Sequence, residues 1–218
     1  MKYILFSFFV SMLLTNQINS QSNIRLIDSI NNLRKFSTDP NRSPEERLKY
    51  SKIASEISIK TENDSIILRT NRDLSYNYLI NQEFELFRDV SLANLELAKK
   101  LKDYSALAYT NKNLGWYYYQ IADDNTTSYQ YYIEALEFFD KKRMLNEKTE
   151  LLYNIAIIQD LEKDYLGSEQ NAIEALRMLD NLDVEDIVID RYSLLNLLGT
   201  VSYKLENYEK AIEYHSEA

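Results

Sequence analysis

The residue types that carry out nucleophilic, acid–base or metal chemistry are scarce in this sequence. His215 is the only histidine, and there is no cysteine. A zinc site of ordinary composition and a Cys–His dyad are excluded, because the first needs several thiolate or imidazole ligands and the second needs a thiol. A Ser–His–Asp triad would have to use His215, which falls at a helical position that we expect to pack between two helices. We therefore predict no catalytic residues and no enzymatic activity.

Acidic residues and glycines indicate no ligand site either. The clusters at 123–124 and 183–186 resemble calcium-binding loops only in their charge, since alternating oxygen ligands and a central glycine are missing. We predict that they serve turns and helix caps. The three glycines stand too far apart along the chain to form a phosphate-binding loop. Carboxylates are frequent, but no pair is marked out by its setting, so the sequence predicts neither a metal nor a cofactor.

The composition favours an all-helical fold. Only 3 Gly and 2 Pro occur in 218 residues, and no proline follows Pro44. The turns of β-sheets usually need glycine or another residue that tolerates positive φ, and glycine is scarce in this chain. With 45% hydrophobic residues and 18 tyrosines, the chain has ample material for a core. The formal net charge of -9 disfavours nucleic acid and an anionic membrane surface as partners, because both attract lysine and arginine.

The first twenty residues have the three-part layout of a secretory signal peptide. Lys2 gives a basic start, residues 3–14 are apolar and uncharged, and polar residues 15–20 follow. The apolar run is shorter than the roughly 20 residues that a membrane-spanning helix needs. We expect cleavage of residues 1–20 after Ser20 and export to the periplasm or the exterior; an uncleaved membrane anchor is the alternative. No second run of that length follows, so no membrane span is expected in the mature chain.

Residues 21–43 are predicted to form an N-terminal helix and a loop. Apolar residues recur with helical spacing over 24–33, and a proline-containing loop follows. The next helix has a strong start, because Ser43 can cap it and Glu46, three residues later, completes a capping box. A further helix is expected to begin at Asn63.

Self-similarity is the most informative feature of the remaining sequence. Four times, a large apolar residue is followed by a small one, and a second small or apolar residue stands 12 or 13 positions later. The four sets are Leu74-Ser75 with Phe87, Leu114-Gly115 with Ser128, Ile155-Ala156 with Ser168, and Leu198-Gly199 with Ala211. Seven residues further on stand Asn94, Ala135, Ala175 and Ala218, at spacings of 41, 40 and 43. Small residues let antiparallel helices cross closely, so the pattern predicts helical hairpins.

The turns within these hairpins repeat as well. Polar residues precede an aromatic residue at Gln82-Glu83-Phe84, Lys163-Asp164-Tyr165 and Glu206-Asn207-Tyr208. The aromatic residue is expected to open the second helix and to pack back onto the first. The remaining hairpin has one extra residue in its turn, which explains its longer gap.

The segments resemble tetratricopeptide repeats, whose pattern has a Leu-Gly pair, an aromatic residue three positions later, and Ala, Phe and Ala in the second helix. The best matches are Leu114-Gly115 with Tyr118, Tyr132 and Ala135, and Leu198-Gly199 with Tyr208, Ala211 and Ala218. The departures are Asn111, Leu152 and Leu195 at the family's tryptophan, His215 at an aromatic position, and no repeat-ending proline. The period is also longer than the family's usual value of about 34 residues.

This resemblance implies an all-α fold, a right-handed solenoid of antiparallel helix pairs with a period of about 40 residues over residues 44–218. The helix that follows Ser43 would be the second helix of a degenerate first repeat. By the repeat phase the last repeat stops in mid-helix, so we expect it to be truncated. The chain is also similar to the exported repeat region that precedes sensor kinases and regulators in Bacteroidetes-type bacteria, of which the run 91–103 is typical.

In tetratricopeptide arrays, the first helix of each pair lines the concave, partner-binding face. The residues predicted for this face are Arg72, Tyr76, Tyr109, Lys112, Trp116, Tyr119, Tyr153, Asn196, Thr200 and Tyr203. Aromatic groups with a polar end suit peptide contacts, and Arg72 and Lys112 are suited to an acidic side chain or a C-terminal carboxylate. Alternatively, many of these tyrosines pack between neighbouring repeats. Trp116 and Tyr119 should share one side of their helix, with Tyr118 pointing to the core.

The sequence thus predicts a non-catalytic scaffold outside the cytoplasm that binds a protein or peptide partner of unknown identity. The alternative is the extracytoplasmic sensor region of a two-component kinase or transcription regulator, truncated before its effector domain. The two differ in whether a membrane helix and a signalling domain follow in the reading frame.

Overall fold

The computed structural model describes residues 23–181 and 189–218. The predicted signal peptide at 1–20 and the acidic cluster at 183–186 lie outside the described residues. The described part contains ten helices and no strand. They are α1 (23–37), α2 (Pro44–Ile59), α3 (Asp64–Ile80), α4 (Phe84–Leu101), α5 (Tyr104–Gln120), α6 (Asn125–Lys142), α7 (Leu145–Leu161), α8 (Tyr165–Leu179), α9 (Arg191–Lys204) and α10 (Tyr208–Glu217).

The chain divides into two compact units, Met1–Leu97 and Ala98–Ala218. The described residues of unit 1 form α1 to α3 and most of α4. Unit 2 begins within the last turn of α4 and contains α5 to α10. Within unit 2, helices that are consecutive in sequence pack on one another, as expected for successive hairpins.

Side-chain caps fix where the helices begin. The Ser43 hydroxyl accepts a hydrogen bond from the Glu46 amide at 3.2 Å, and the Glu46 carboxylate accepts one from the Ser43 amide at 3.4 Å. The predicted capping box is therefore confirmed, with Pro44 at the start of the helix. Further side-chain caps are Asn63, Asp103, Asp124, Asp164, Asp190 and Asn207. Each satisfies an amide that has no partner within its helix.

The turns between helices are made without glycine. In the described part, the residues other than glycine with positive φ are Glu62, Gln82, Lys102, Asp123, Arg143, Lys163 and Glu206. In five of these seven turns, the next residue is the Asp or Asn that caps the following helix. A left-handed residue ends one helix and a polar cap begins the next, which explains how so few glycines serve so many turns.

Aromatic residues open three second helices, as the turn pattern predicts. Helix α4 begins at Phe84, α8 at Tyr165 and α10 at Tyr208. Tyr208 packs back onto Tyr203 of α9, with the ring centroids 5.6 Å apart.

In unit 1, polar contacts join α3 to its neighbours. The Arg34 guanidinium of α1 donates to both carboxylate oxygens of Asp73, at 2.6 and 3.3 Å. The hydroxyl groups of Ser75 and Ser91 lie 2.9 Å apart and link α3 to α4. This short contact shows that α3 and α4 cross closely at Ser75, and Phe87 of α4 is buried at 1% exposure.

Unit 2 is built on two buried apolar clusters. The first joins α5, α6 and α7 through Ala108, Tyr132, Ala135, Phe139, Leu151, Ile155 and Ile158. The second joins α7, α8 and α9 through Leu152, Ala156, Ala172, Ala175, Leu179, Leu194 and Leu198. Helix α7 contributes to both clusters, so consecutive hairpins share their cores, as in a helical solenoid.

The predicted small residues meet where the paired helices cross. The Tyr132 ring lies on the backbone of Gly115, where an added Cβ atom would stand 2.4 Å from the ring. The Ser128 hydroxyl donates to the carbonyl of Gly115 at 2.7 Å. In the next hairpin, the Ser168 hydroxyl donates to the carbonyl of Ala156 at 2.7 Å. A serine at this position therefore adds a cross-helix hydrogen bond to the close approach.

The positions of the family's tryptophan are buried in unit 2. Asn111, Leu152 and Leu195 are 0%, 4% and 1% exposed. Two of them fill the position with an aliphatic side chain. Asn111 instead buries an amide whose nitrogen and oxygen find no hydrogen-bond partner in the described part of the protein.

The predicted all-α solenoid of antiparallel helix pairs is confirmed. Helices of 17 and 18 residues in α5 and α6 account for a period above the usual value of about 34. No helix within residues 23–181 and 189–218 combines the length and the apolar character needed to cross a bilayer.

Candidate binding surface on the first helices

The first helices of three hairpins lie side by side in unit 2. Polar contacts join α5 to α7 and α7 to α9. Eight of the ten predicted partner-binding residues lie on these helices, and we call this set the first-helix surface. Its members are Tyr109, Lys112, Trp116, Tyr119, Tyr153, Asn196, Thr200 and Tyr203. The structure thus brings most of the predicted residues onto neighbouring elements.

The charge of Lys112 is matched within the protein. Its Nζ forms an ion pair with Oε2 of Glu150 on α7, and the two side chains are only 22% and 20% exposed. The Tyr109 hydroxyl donates to Oε1 of Glu147, also on α7, at 2.5 Å. Lys112 was expected to meet an acidic group of a partner, but it meets a carboxylate of the adjacent repeat instead. Both contacts hold α5 against α7.

Acidic residues on α7 complete the surface, and the sequence analysis did not select them. Besides Glu147 and Glu150, Asp160 accepts two hydrogen bonds from Nζ of Lys204 on α9, both at 2.7 Å. Glu150 and Asp160 stand three residues before and seven residues after Tyr153, so helical periodicity would have placed them on the same face. In these contacts between repeats, two lysines and one tyrosine hydroxyl meet three carboxylates.

Aromatic side chains make up more than half of the first-helix surface. Trp116, Tyr119 and Tyr153 are half-buried, and Tyr203 is 63% exposed. Tyr109 and Tyr119 pack against the first apolar cluster and Tyr153 against the second. Burial raises the pKa of Tyr119, and the nearby Tyr153 adds to this effect. These tyrosines therefore pack between repeats, as the alternative interpretation expected, and they are only partly buried. Their role as partner contacts stays a prediction.

Helix α9 contributes the most accessible part of the surface. Thr200 and Tyr203 are exposed, and Asn196 is half-buried on the same side of the helix. The Asn196 Oδ1 lies 3.3 Å from Nδ1 of His215 on α10.

His215 departs from the expectation that it packs between two helices. One face of its ring lies on Gly199, where an added Cβ atom would stand 2.6 Å from the ring, but the residue is exposed. Its counterparts Tyr132 and Ala172 in the other hairpins are buried, because α7 and α9 cover them. Within the described residues, no helix covers α10 in this way. The prediction was right about the contact with α9 and wrong about burial.

Tyr118 also differs from its prediction. Tyr117, one residue earlier, is the side chain that enters the core, at 3% exposure. Tyr118 is half-buried and stacks on Tyr131 of α6, with ring centroids 5.4 Å apart and an angle of 14° between the ring planes. Leu114 and Gly115, which were predicted to lie at the helix crossing, are buried as expected, so the difference is confined to Tyr117 and Tyr118.

The remaining two predicted residues belong to unit 1. Arg72 and Tyr76 are exposed on α3, one helical turn apart and therefore on one side of the helix. Their role as partner contacts stays a prediction.

The described residues show no arrangement that indicates a reacting centre. No three histidine, aspartate or glutamate side chains converge as a metal-binding group in this part of the chain. The most strongly perturbed tyrosine is Tyr132, whose pKa is raised by burial and by the nearby Glu150. A buried phenol that stays neutral serves packing, and here it covers Gly115.

Neither a known protein family nor a curated protein matches the sequence. Solved structures do match the fold. The tetratricopeptide-like repeats of a putative kinesin light chain from Podosopora anserina superpose with a TM-score of 0.67 at 12% identity, covering 89% of this chain and 93% of that one.

Two further structures are similar over parts of longer chains. A STAND signal-transduction ATPase with a tetratricopeptide repeat sensor, from Pyrococcus horikoshii, has a TM-score of 0.69 at 16% identity, covering 81% of this chain and 28% of that one. A Rap protein complexed with competence and sporulation factor has a TM-score of 0.55 at 15% identity, covering 80% of this chain and 58% of that one. At these identities the similarity concerns the fold alone. The chain has a tetratricopeptide-like helical-repeat fold.

Proposed function

We propose that this protein is a non-catalytic scaffold that binds a protein or peptide segment on the first-helix surface of unit 2. One observation carries the proposal: aromatic side chains stand on three adjacent first helices that are held together by polar contacts between repeats. Those contacts are Tyr109–Glu147, Lys112–Glu150 and Lys204–Asp160.

The polar contacts suit the surface to binding because they order it before a partner arrives. A half-buried tyrosine or tryptophan has already lost most of its side-chain freedom on folding. Binding through such side chains therefore costs little further conformational entropy. The inner ends of Tyr119 and Tyr153 pack on the core clusters, and their outer edges remain accessible to a partner.

The charges of the surface indicate what kind of segment it would accept. Lys112 and Lys204 are already paired with carboxylates on α7. An acidic segment would have to compete with Glu150 and Asp160 for these lysines. We therefore propose a neutral or weakly basic segment that carries apolar or aromatic side chains.

Similarity of fold supports two versions of this function. The Rap structure is complexed with competence and sporulation factor, which supports a peptide-binding scaffold. The STAND protein carries a tetratricopeptide repeat sensor, which supports the second candidate, a sensor region of a kinase or transcription regulator. Sequencing the transcript beyond the codon for Ala218 distinguishes them, because the sensor version requires a membrane helix and a signalling domain in the same frame.

We further propose that the protein acts outside the cytoplasm. The support is the basic, apolar and polar order of residues 1–20. N-terminal sequencing of the protein purified from its native cells should then begin at Gln21. A chain that retains residues 1–20 in the cytoplasmic fraction would contradict this location without affecting the binding proposal.

Selection from a phage-displayed library of random peptides tests the binding proposal on the mature chain. Thr200→Arg places a long cation on the exposed part of α9 without disturbing the core, and we expect it to abolish binding of the selected peptides. Leu166→Arg makes the same change at a residue of α8 that is 62% exposed and lies off the surface, so it should bind as the wild type does. Trp116→Ala should weaken binding while the helix content by circular dichroism stays unchanged. Equal binding by wild type, Thr200→Arg and Trp116→Ala would show that the first-helix surface is not the site.

A further inference from the structure

A pocket of about 270 Å³ opens where α6 begins and α7 ends. Its apolar lining comes from Ile158, which belongs to the first apolar cluster of unit 2, and from Tyr129, which packs against that cluster. The polar lining includes Asn125, Gln159, Glu162 and Asp164. A concave site with apolar walls and a few polar groups, at the small end of the usual size range, suits a small organic molecule.

The pocket coincides with a departure from the repeat pattern. The second helices of three hairpins open with an aromatic residue, at Phe84, Tyr165 and Tyr208, whereas α6 opens with Asn125. Asn125 corresponds to Tyr165 in repeat phase, since each directly follows the aspartate that caps its helix. A short amide therefore stands at the pocket, where the other hairpins have a ring.

The next interface between hairpins shows what occupies the equivalent place. Tyr165 is half-buried there, and Nζ of Lys204 on α9 lies 5.4 Å from the centre of its ring. Lys204 corresponds in repeat phase to Leu161 of α7, because each stands two residues before the left-handed residue of its turn. The interface between α8 and α9 therefore supplies a ring and an ammonium group from its own side chains, and the interface between α6 and α7 has neither at these two positions.

The charge of the pocket complements an ammonium group. The described residues that line it include two carboxylates and no lysine or arginine. Oε1 of Glu162 accepts a hydrogen bond from Nδ2 of Asn125 at 2.9 Å, which leaves the second carboxylate oxygen for a ligand. Both oxygens of Asp164 already accept hydrogen bonds, from the Gly167 amide at 3.0 Å and from Nε2 of Gln159 at 2.9 Å. Glu162 is therefore the group placed to bind a cation, and Asp164 adds negative charge nearby.

We propose that this pocket binds a small aromatic amine, with its ring against Tyr129 and Ile158 and its ammonium group on Glu162. The ligand supplies the two groups that Tyr165 and Lys204 supply in the neighbouring interface. Contacts of a ring with apolar side chains and of a cation with a carboxylate are both favourable. This site is independent of the proposed peptide binding, because none of the residues that line the pocket belongs to the first-helix surface.

Isothermal titration calorimetry with tyramine tests the proposal on the mature chain. We expect saturable binding with a dissociation constant in the millimolar range or lower, as is usual for a ligand of this size. Two further probes separate the contributions of the ring and the charge. Hydroxyphenylpropionate keeps the ring but is negatively charged, and butylamine keeps the ammonium group but has no ring. Each should bind about tenfold more weakly than tyramine, or not at all.

Variants of two lining residues test the same site. Asn125→Tyr should abolish tyramine binding, because its ring would fill the pocket, and two other hairpins carry tyrosine at this position without loss of the fold. Glu162→Gln keeps the shape of the side chain and should weaken binding about fivefold, the contribution of one partly exposed ion pair. Glu209→Gln is the matched control, because it removes an exposed carboxylate of α10 outside the pocket, and it should bind as the wild type does.

Three results would overturn the proposal: no saturable binding of tyramine by the wild type, equal binding of tyramine and either of the other probes, or equal binding of tyramine by the wild type and either pocket variant. If circular dichroism shows that Asn125→Tyr does not fold, Glu162→Gln and the probes still decide the question. Thr200→Arg should bind tyramine as the wild type does even where it no longer binds the selected peptides, so either proposal can fail without the other.

Discussion

The ring of Tyr132 lies against the backbone of Gly115, and a Cβ atom at residue 115 would stand 2.4 Å from ring carbon Cδ1. Tyr132 is 1% exposed and is covered by α7, so its ring cannot rotate away from residue 115. His215 holds the same position over Gly199, but it is exposed and can rotate away. The glycine position of the repeat should therefore tolerate a side chain at residue 199 better than at residue 115.

Gly115→Ala should lower the free energy of unfolding by about 1–2 kcal/mol. Overpacking of a core costs about 1–3 kcal/mol, and the gain in helix propensity of about 1 kcal/mol offsets part of it. Gly199→Ala should cost less or stabilise, because the His215 ring can give way. Urea denaturation of both variants measures the difference. Equal losses would mean that the coverage by α7 does not restrain Tyr132.

Asn111→Leu should raise the free energy of unfolding by about 1 kcal/mol. The change removes two buried polar atoms that lack hydrogen-bond partners, each of which is costly to bury. Leu152 and Leu195 show that a leucine fits the equivalent position in two other hairpins. Thermal and urea denaturation measure the change. A loss of stability instead would indicate that Asn111 binds an ordered water or lacks room for the larger side chain.

The sequence was sufficient for the fold because its signals are local. The pair Leu114-Gly115, the cap at Ser43 and the aromatic at Tyr165 each specify a crossing, a helix start or a turn within a few residues. The repetition of these signals then indicates stacked hairpins.

The sequence was less informative about the site. The helical spacing placed Lys112 on the side of α5 that meets α7. Its partner Glu150 lies 38 residues away in the sequence, so the spacing within α5 could not identify it. That pairing depends on the rotation and rise from one hairpin to the next, which a repeat period does not specify. The exposure of His215 has a similar origin, because burial at its position depends on a covering helix and not on the residue's own repeat.

Lys112 and Glu150 should show a coupling free energy of about 1 kcal/mol in a double-mutant cycle with Lys112→Met and Glu150→Gln. The pair is about four-fifths buried, so solvent screens it less than it screens a fully exposed pair. Lys141 and Glu137 on α6 provide the control, since their side chains are 53% and 63% exposed and should couple by less than about 0.5 kcal/mol. Equal coupling in both cycles would argue against a special role for the contact between α5 and α7.

Asp124 should make the stability of unit 2 depend on pH in the acid range. Hydrogen bonds from the side chain and amide of Thr127 hold the pKa of this carboxyl below its ordinary value of 3.8. A lowered folded-state pKa stabilises the protein above the ordinary value, and this contribution is lost as the pH falls through the lowered one. Asp124→Asn keeps an acceptor oxygen but does not titrate, so the stability difference from wild type should shrink as the pH falls below about 4. A difference that stays constant with pH would contradict this assignment.

The turns closed by left-handed residues other than glycine bear on how the protein evolves. Each of these conformations strains an L-residue by about 1 kcal/mol or more, and glycine adopts it without strain. The turn residues, such as Lys163 and Glu206, are exposed, so glycine there would leave the core and the proposed binding surface intact. The turns are therefore a reserve of stability, from which a glycine substitution can compensate for destabilising changes elsewhere in the protein.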